Sequence, residues 1–233
     1  MYTFRMAVAL VSTVLVAASV IPLFFLRPFH RNNMADACRL LAGVCQQIWN
    51  VKFEIENEHL LEPDQPMVFI SNHQDTHDLF FAPKIVRKGM VALGKWELAL
   101  IPFLGQAFYF AGNILIKRQQ KEKAQEALHE AAMKITKQNK SVLVFPEGTR
   151  NWGKPLPFKL GAFKLAIDAQ VPITPICFAL RPQSMTLDKW NGGVVKVKVL
   201  DPIDTTGMTL EDAIPLAVRC RKLVEEEVKR ISQ

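Results

Sequence analysis

Met67-Val68-Phe69-Ile70-Ser71-Asn72-His73-Gln74-Asp75-Thr76-His77-Asp78 is an apolar run that breaks into a polar loop. Val142-Leu143-Val144-Phe145-Pro146-Glu147-Gly148-Thr149-Arg150 repeats the plan. Each reads as a short buried strand followed by a loop of ionisable and hydrogen-bonding groups. That arrangement points to an α/β fold, in which chemistry collects in loops at strand ends.

The surrounding chain alternates in the same manner. Strands are expected at Val51–Glu56, Met67–Ser71, Met90–Leu93, Asn113–Lys117, Ser141–Phe145, Ile173–Ala179 and Val194–Leu200. They form a central mixed sheet flanked by helices. The Val194 strand alternates valine with lysine, so one face is wet. Helices are expected after His77, over Lys121–Gln138 with a charged face, over Lys159–Ala169, and over Leu210–Ile231. Asp64-Gln65-Pro66 and Asn191-Gly192-Gly193 read as turns.

His73 and Asp78 are five positions apart. On a regular helix that spacing separates side chains by about 140°. The two meet only if His73 lies in the turn and Asp78 in the following helix. An aspartate on one imidazole nitrogen fixes the tautomer and leaves the other nitrogen as a general base. No G-x-S-x-G elbow supplies a protein nucleophile. Ser71 precedes the histidine but would end the strand. The base therefore activates a hydroxyl of the substrate.

Asn72, His73 and Asp78 match N-H-x-x-x-x-D, and Phe145 to Arg150 match F-P-E-G-T-R. Gly112-Asn113-Ile114-Leu115-Ile116-Lys117-Arg118 matches G-x-x-x-I-x-R, and Val171-Pro172-Ile173-Thr174-Pro175 matches V-P-I-x-P. Together, in this order, the four motifs are very specific. The chain resembles the glycerophospholipid acyltransferases of the lysophosphatidic acid acyltransferase type, from about Val51 to Leu200. The resemblance implies that His73 is the general base and Asp78 its orienting partner. Arg118 and Arg150 become phosphate ligands, and Glu147, Gly148 and Thr149 substrate-binding residues. Planar guanidinium forks suit a phosphate, and glycine admits close backbone approach. It also implies transfer of an acyl group from acyl-CoA or acyl carrier protein to lysophosphatidic acid, giving phosphatidic acid. Rivals are another lysolipid acceptor, a lipid hydrolase using the dyad with water, and a non-catalytic membrane-binding module.

Blander readings stand beside these. Asp75 and His77 fill variable motif positions and form a second His/Asp pair. His77 reads as a surface or helix-capping residue. Arg150 reads alternatively as an ion-pair partner of Glu147, and Arg118 as the start of a solvated charge run through Lys121 and Lys123. Lys95 reads as solvated.

Over 233 residues the net charge is +7 and apolar content is 49%. A basic–aromatic nucleic-acid motif is absent from the sequence, and an anionic membrane accounts for both features. Cys38, Cys45, Cys177 and Cys220 show no C-x-x-C spacing and read as reduced structural thiols. No metal cluster is visible, and no cofactor is expected.

Met6–Leu26 is 21 residues without a charge. That is long enough to cross about 30 Å of hydrocarbon. A cleaved signal peptide is the rival, with Ala17-Ala18-Ser19 a poor cleavage site. Arg27, Arg31 and Arg39 follow the segment, which by the positive-inside rule places the catalytic part on the cytoplasmic side of an inner membrane. Asn32–Trp49 reads as an amphipathic helix with Leu40, Leu41, Val44, Cys45, Ile48 and Trp49 on its apolar side. Residues 1–49 are thus expected to form a membrane anchor, a helical hairpin spanning or dipping into the bilayer, and residues 50–233 the catalytic domain.

Overall fold

The computed structural model describes residues 1–117, 120–181 and 185–233. Among them, strands β1 (Val51–Glu56), β2 (Val68–Ser71), β3 (Met90–Lys95), β4 (Ile114–Ile116), β5 (Ser141–Val144), β6 (Ile173–Phe178) and β7 (Gly193–Val199) form one sheet. The order is β1-β7-β6-β2-β5-β3-β4. Every neighbouring pair is parallel except β6 and β7, which run antiparallel through Ile176↔Val199 and Phe178↔Val197. The sheet is mixed, as the sequence suggests.

Burial explains the strand patterns. β2, β5 and β6 are buried at every position. Covered on both faces, they read as continuous apolar runs. Val195, Val197 and Val199 of β7 are buried while Lys196 and Lys198 between them are not, the alternation of a strand with one wet face.

Two helical layers cover the sheet. Phe69 and Leu143 face a core shared with α2 (Asn33–Trp49) and α3 (Asp78–Phe81). Val68, Ile70, Val142 and Val144 face the other core, shared with α5 (Lys121–Gln138), α6 (Gly161–Ala169) and α7 (Ala213–Ile231). α3 lasts one turn, and Pro83 lies in the tighter turn Ala82–Ile85 that follows. The helix α4 (Leu104–Phe110), absent from the sequence reading, precedes β4. The expected helix at Leu210 begins with a separate tight turn, Leu210–Asp212, closed by a Thr209–Asp212 capping box. All four cysteines are free and buried, and burial pushes the Cys220 thiol up to about 12.

The N-terminal helix α1 (Tyr2–Leu26) is long and apolar enough to cross a membrane. One stripe of it, Arg5, Ala9, Thr13, Ala17, Val20 and Phe24, is buried. Ala9 joins the α2 and α3 core, while Ala17, Val20 and Phe24 pack with Ala107 and Ala111 at α4. Phe4, Val11, Leu15, Phe25 and Leu26 remain exposed. The Arg5 guanidinium donates to the carbonyls of Ile48 (2.7 Å), Lys189 (2.6 Å) and Trp190 (3.1 Å). It also lies between the Trp49 and Trp190 rings. Carbonyl oxygens and ring faces thus compensate a buried cation.

α2 keeps most of the apolar side read from the sequence: Cys45 and Trp49 are buried, and Leu41 and Ile48 pack against the same core. Its buried positions are Asn33, Ala35, Cys38, Ala42, Cys45 and Trp49, whereas Leu40 is 45% exposed. The buried stripe extends that side through small residues, Ala35, Cys38 and Ala42, which let the helix backbone approach its neighbours closely.

Five strands, β6, β2, β5, β3 and β4, point the same way. Their C-terminal ends share one edge. That edge gathers the loops after Ser71, Val144, Lys95, Ile116 and Phe178.

Candidate active site

The polypeptide leaves β2 at Ser71, and Asn72 anchors the exit. Its side-chain amide donates to the Phe178 carbonyl (3.0 Å) and accepts from the Phe178 N–H (2.9 Å), tying the loop to β6. Ser71 is fully buried, its hydroxyl directed at the Asn72 carbonyl. It is not presented as a nucleophile.

His73 lies in the turn and Asp78 opens α3, so the two side chains converge. His73 Nδ1 is 2.5 Å from Asp78 Oδ2. The same carboxylate oxygen accepts the Gln74 N–H at 2.7 Å. Asp78 is buried, while the imidazole is 23% exposed. The Phe145 ring covers one side of it, centroids 4.6 Å apart. Among the described residues Nε2 has no hydrogen-bond partner, and it is the nitrogen left to act as a base.

Arg181, which the sequence reading missed, completes the constellation. It follows β6 on the same edge as the β2 loop. Its Nη1 donates to Asp78 Oδ1 (2.8 Å), and its Nε to Asp75 Oδ2 (2.9 Å). Nη2 approaches Asp75 Oδ1 at 2.9 Å but is not aligned for a hydrogen bond. Asp75 also receives the His77 backbone N–H and faces His77 Nδ1, both at 2.7 Å. His77 is buried, not a surface residue, and its Nε2 meets the Tyr2 hydroxyl at 3.2 Å. A continuous chain of polar contacts therefore runs from α1 through His77, Asp75 and Arg181 to Asp78. Burial pushes the Asp75 carboxyl up in pKa, but bonds from His77 and the Arg181 charge outweigh it. The carboxyl is held well below the usual carboxylate range. The one signal in the sequence was that two carboxylates in one short loop call for a cation; nothing local identified Arg181 as that cation.

Arg181→Lys tests this clamp. Lysine keeps the charge but cannot bridge both carboxylates. The variant is expected to lose about 1.5–3 kcal/mol of stability, the scale of a hydrogen bond to a charged group. A lowered thermal midpoint of the detergent-solubilised protein measures it. An unchanged midpoint would show that the bridge adds nothing.

Glu147 binds the loops together. Its Oε1 accepts the His73 N–H (3.0 Å) and the Asn151 side-chain amide (2.9 Å), and its Oε2 accepts the Leu156 N–H (3.3 Å). It makes no ion pair with Arg150. Gly148 has φ +72°, a left-handed conformation, and a Cβ there would stand 2.9 Å from the Lys159 side chain. Thr149 and Arg150 are exposed, and Arg150 has no ion-pair partner among the described residues. Lys95, also exposed, ends β3 on this edge. The Lys117 ammonium sits over the Trp96 ring, 4.1 Å from its centroid. Arg118, expected to be a phosphate ligand, lies outside the described residues.

The Acyltransferase family model matches residues 52–179, the segment holding the dyad, Glu147 and Arg150. The 1-acyl-sn-glycerol-3-phosphate acyltransferase of Escherichia coli K12 is 33% identical, covering 100% of this chain and 95% of its own. That of Haemophilus influenzae is 36% identical over 78% of each chain. The chain belongs to the 1-acyl-sn-glycerol-3-phosphate acyltransferase family. Human 1-acyl-sn-glycerol-3-phosphate acyltransferase alpha is 34% identical, over 99% of this chain and 82% of its own. The crystal structure of the 1-acyl-sn-glycerophosphate acyltransferase from Thermotoga maritima shares the fold, with TM-score 0.70 at 20% identity over 99% of this chain and 98% of that one. The acyltransferase fold thus covers α1 and α2 as well as the sheet.

Proposed function

We propose that this enzyme moves a fatty acyl group from acyl-CoA or acyl carrier protein to the free hydroxyl of lysophosphatidic acid, giving phosphatidic acid. The observation that carries the reading is the 2.5 Å contact between His73 and Asp78 on an open sheet edge. His73 Nε2 takes the hydroxyl proton as the hydroxyl oxygen attacks the thioester carbonyl. The tetrahedral intermediate collapses by breaking the C–S bond. The imidazolium then gives its proton to the departing thiolate. Asp78 stabilises the imidazolium, and Arg181 holds Asp78. The thioester supplies the driving force, so no cofactor enters. Thin-layer analysis of labelled acyl donor with a panel of lysolipid acceptors tests the reading. Preference for an acceptor without a phosphate monoester, or acyl transfer to water alone, would defeat it.

Arg150 is the phosphate ligand in this scheme, supported by its exposure beside the dyad and its freedom from Glu147. Arg150→Lys removes the planar fork and is expected to weaken use of a phosphate acceptor by about 1–3 kcal/mol in kcat/KM. The loss should shrink with an uncharged lysolipid. Equal losses with both acceptors would make Arg150 structural.

The membrane seat follows from α1. Its buried stripe runs the length of the helix, from Arg5 beside Trp190 to Phe24 beside α4. A spanning α1 would draw α2, α4 and part of the sheet into hydrocarbon. The helix instead lies along one leaflet, its exposed apolar side in the acyl chains and the catalytic edge at headgroup depth. The basic residues after it favour the cytoplasmic leaflet of an inner membrane.

A further inference from the structure

A cavity of about 390 Å³ opens at the opposite, N-terminal edge of the sheet. Pro66, Met90 and Ser141, at or just before the starts of β2, β3 and β5, form its floor. Seven residues of extended chain separate Pro66 from His73, on the order of 20 Å. The cavity is therefore no part of the catalytic edge.

Its charged lining is Arg31, Arg39, Arg87 and Lys88 against Glu62 and Asp64. Glu62 is committed to Arg87, which also pairs with Glu58. Arg39 has only a 3.7 Å contact with Asp36, whose other oxygen is held by Arg27 at 2.5 Å. Arg31 and Lys88 have no ion-pair partner among the described residues. Three cations thus face one uncommitted carboxylate, Asp64. The excess positive charge reaches a buried neighbour. Lys140, whose ammonium donates to the Phe29 carbonyl at 3.1 Å, is pushed below the usual lysine pKa by burial, then by Lys134 and Arg31.

The wall is fixed. The Gly89 N–H donates to the Arg31 carbonyl (3.0 Å). Gly89 has φ +82°, and a Cβ there would stand 3.1 Å from Arg31 Nη2, so the guanidinium packs where a side chain would otherwise be.

We propose that this cavity holds the phosphate of an anionic phospholipid, at a site separate from the catalytic edge. Two guanidinium groups and an ammonium suit a phosphate anion, whether a lipid headgroup or free phosphate supplies it. The lipid source is favoured by what precedes Arg31: Phe25, Leu26 and Phe29 are 62%, 85% and 45% exposed. Apolar side chains in hydrocarbon with cations just behind them match the depth profile of one leaflet. The site rests on the in-plane seat of α1 and on no catalytic assignment.

Native mass spectrometry of the full chain in neutral detergent tests it, with phosphatidylglycerol and phosphatidylcholine of identical acyl chains as probes. The wild type is expected to retain phosphatidylglycerol about tenfold better, the size of one charged hydrogen bond. The double change Arg31→Glu and Lys88→Glu should abolish that preference, and His73→Ala should keep it. Lys88→Ala alone should reduce it, which keeps the test available if the double variant does not fold. Equal retention of the two lipids by the wild type would overturn the proposal, as would an unchanged preference in the Lys88 variant. Loss of bound phosphatidylglycerol on adding millimolar inorganic phosphate would reassign the site to free phosphate and defeat the lipid source.

Discussion

His73→Ala is expected to lower kcat by a factor of about 10² to 10⁴, the range for a positioned general base. KM for the acceptor should change little, because in the proposed mechanism the imidazole only takes up the proton and Arg150 holds the phosphate. The fold should survive, since the ring is partly exposed and contacts Phe145 on one side only. His77→Ala should act differently. That ring is buried against Trp49, Phe80 and Phe81, so its loss should lower the thermal midpoint more than His73→Ala does. Steady-state kinetics and thermal melts of the two variants separate the roles. Equal losses of turnover at both positions, with both proteins folded, would remove His73 as the sole base.

The same residues show what the sequence could and could not reveal. The His73–Asp78 contact was legible because it is local. Five positions admit a meeting only across a turn into a helix, and the apolar run before Ser71 fixes where the turn begins. The strands were legible because β2, β5 and β6, buried at every position, are continuous apolar runs bounded by turn residues, while β7 alternates valine with lysine. Arg181 was hidden because it lies 103 positions from Asp78 and reaches it only through the pairing of β6 with β2. Nothing local to Leu180-Arg181-Pro182 announces a partner. Glu147 was placed at the site as a substrate-binding residue. Its carboxylate is occupied by the His73 N–H, a long-range contact invisible to motif reading. α4 escaped because Leu104–Phe110 begins after Phe103 at φ +62° and carries Gly105 in its first turn, neither a helix signal. In α2 the period and most of the apolar side were legible: Leu41, Cys45, Ile48 and Trp49 face the core, and Leu40 does not.

Deleting residues 1–49 is expected to abolish the folded state, and with it activity on any acceptor, not only attachment to membranes. Trp49, Cys45, Ala42 and Ala35 are buried, and most of them share one core with Phe69, Phe80, Phe81 and Ile176. The Trp49 ring lies 5.9 Å from that of Phe80, in the turn of helix that begins with Asp78. Removing a buried Trp or Phe costs roughly 3–5 kcal/mol, and Phe24 and Trp49 both go. Arg5, with three hydrogen bonds to carbonyls, goes with them. The sum reaches the roughly 5–15 kcal/mol that holds a domain together. A thermal melt of the truncated protein should show no cooperative transition, and an assay with a short-chain soluble acceptor should show no product. Trimming only residues 1–4 should leave Arg5, Trp49 and the fold in place while removing the Tyr2 contact with His77. Full activity of the 50–233 fragment on a soluble acceptor would reverse this conclusion. It would make the first two helices a separable anchor whose packing against the sheet serves only to hold the catalytic edge at the membrane.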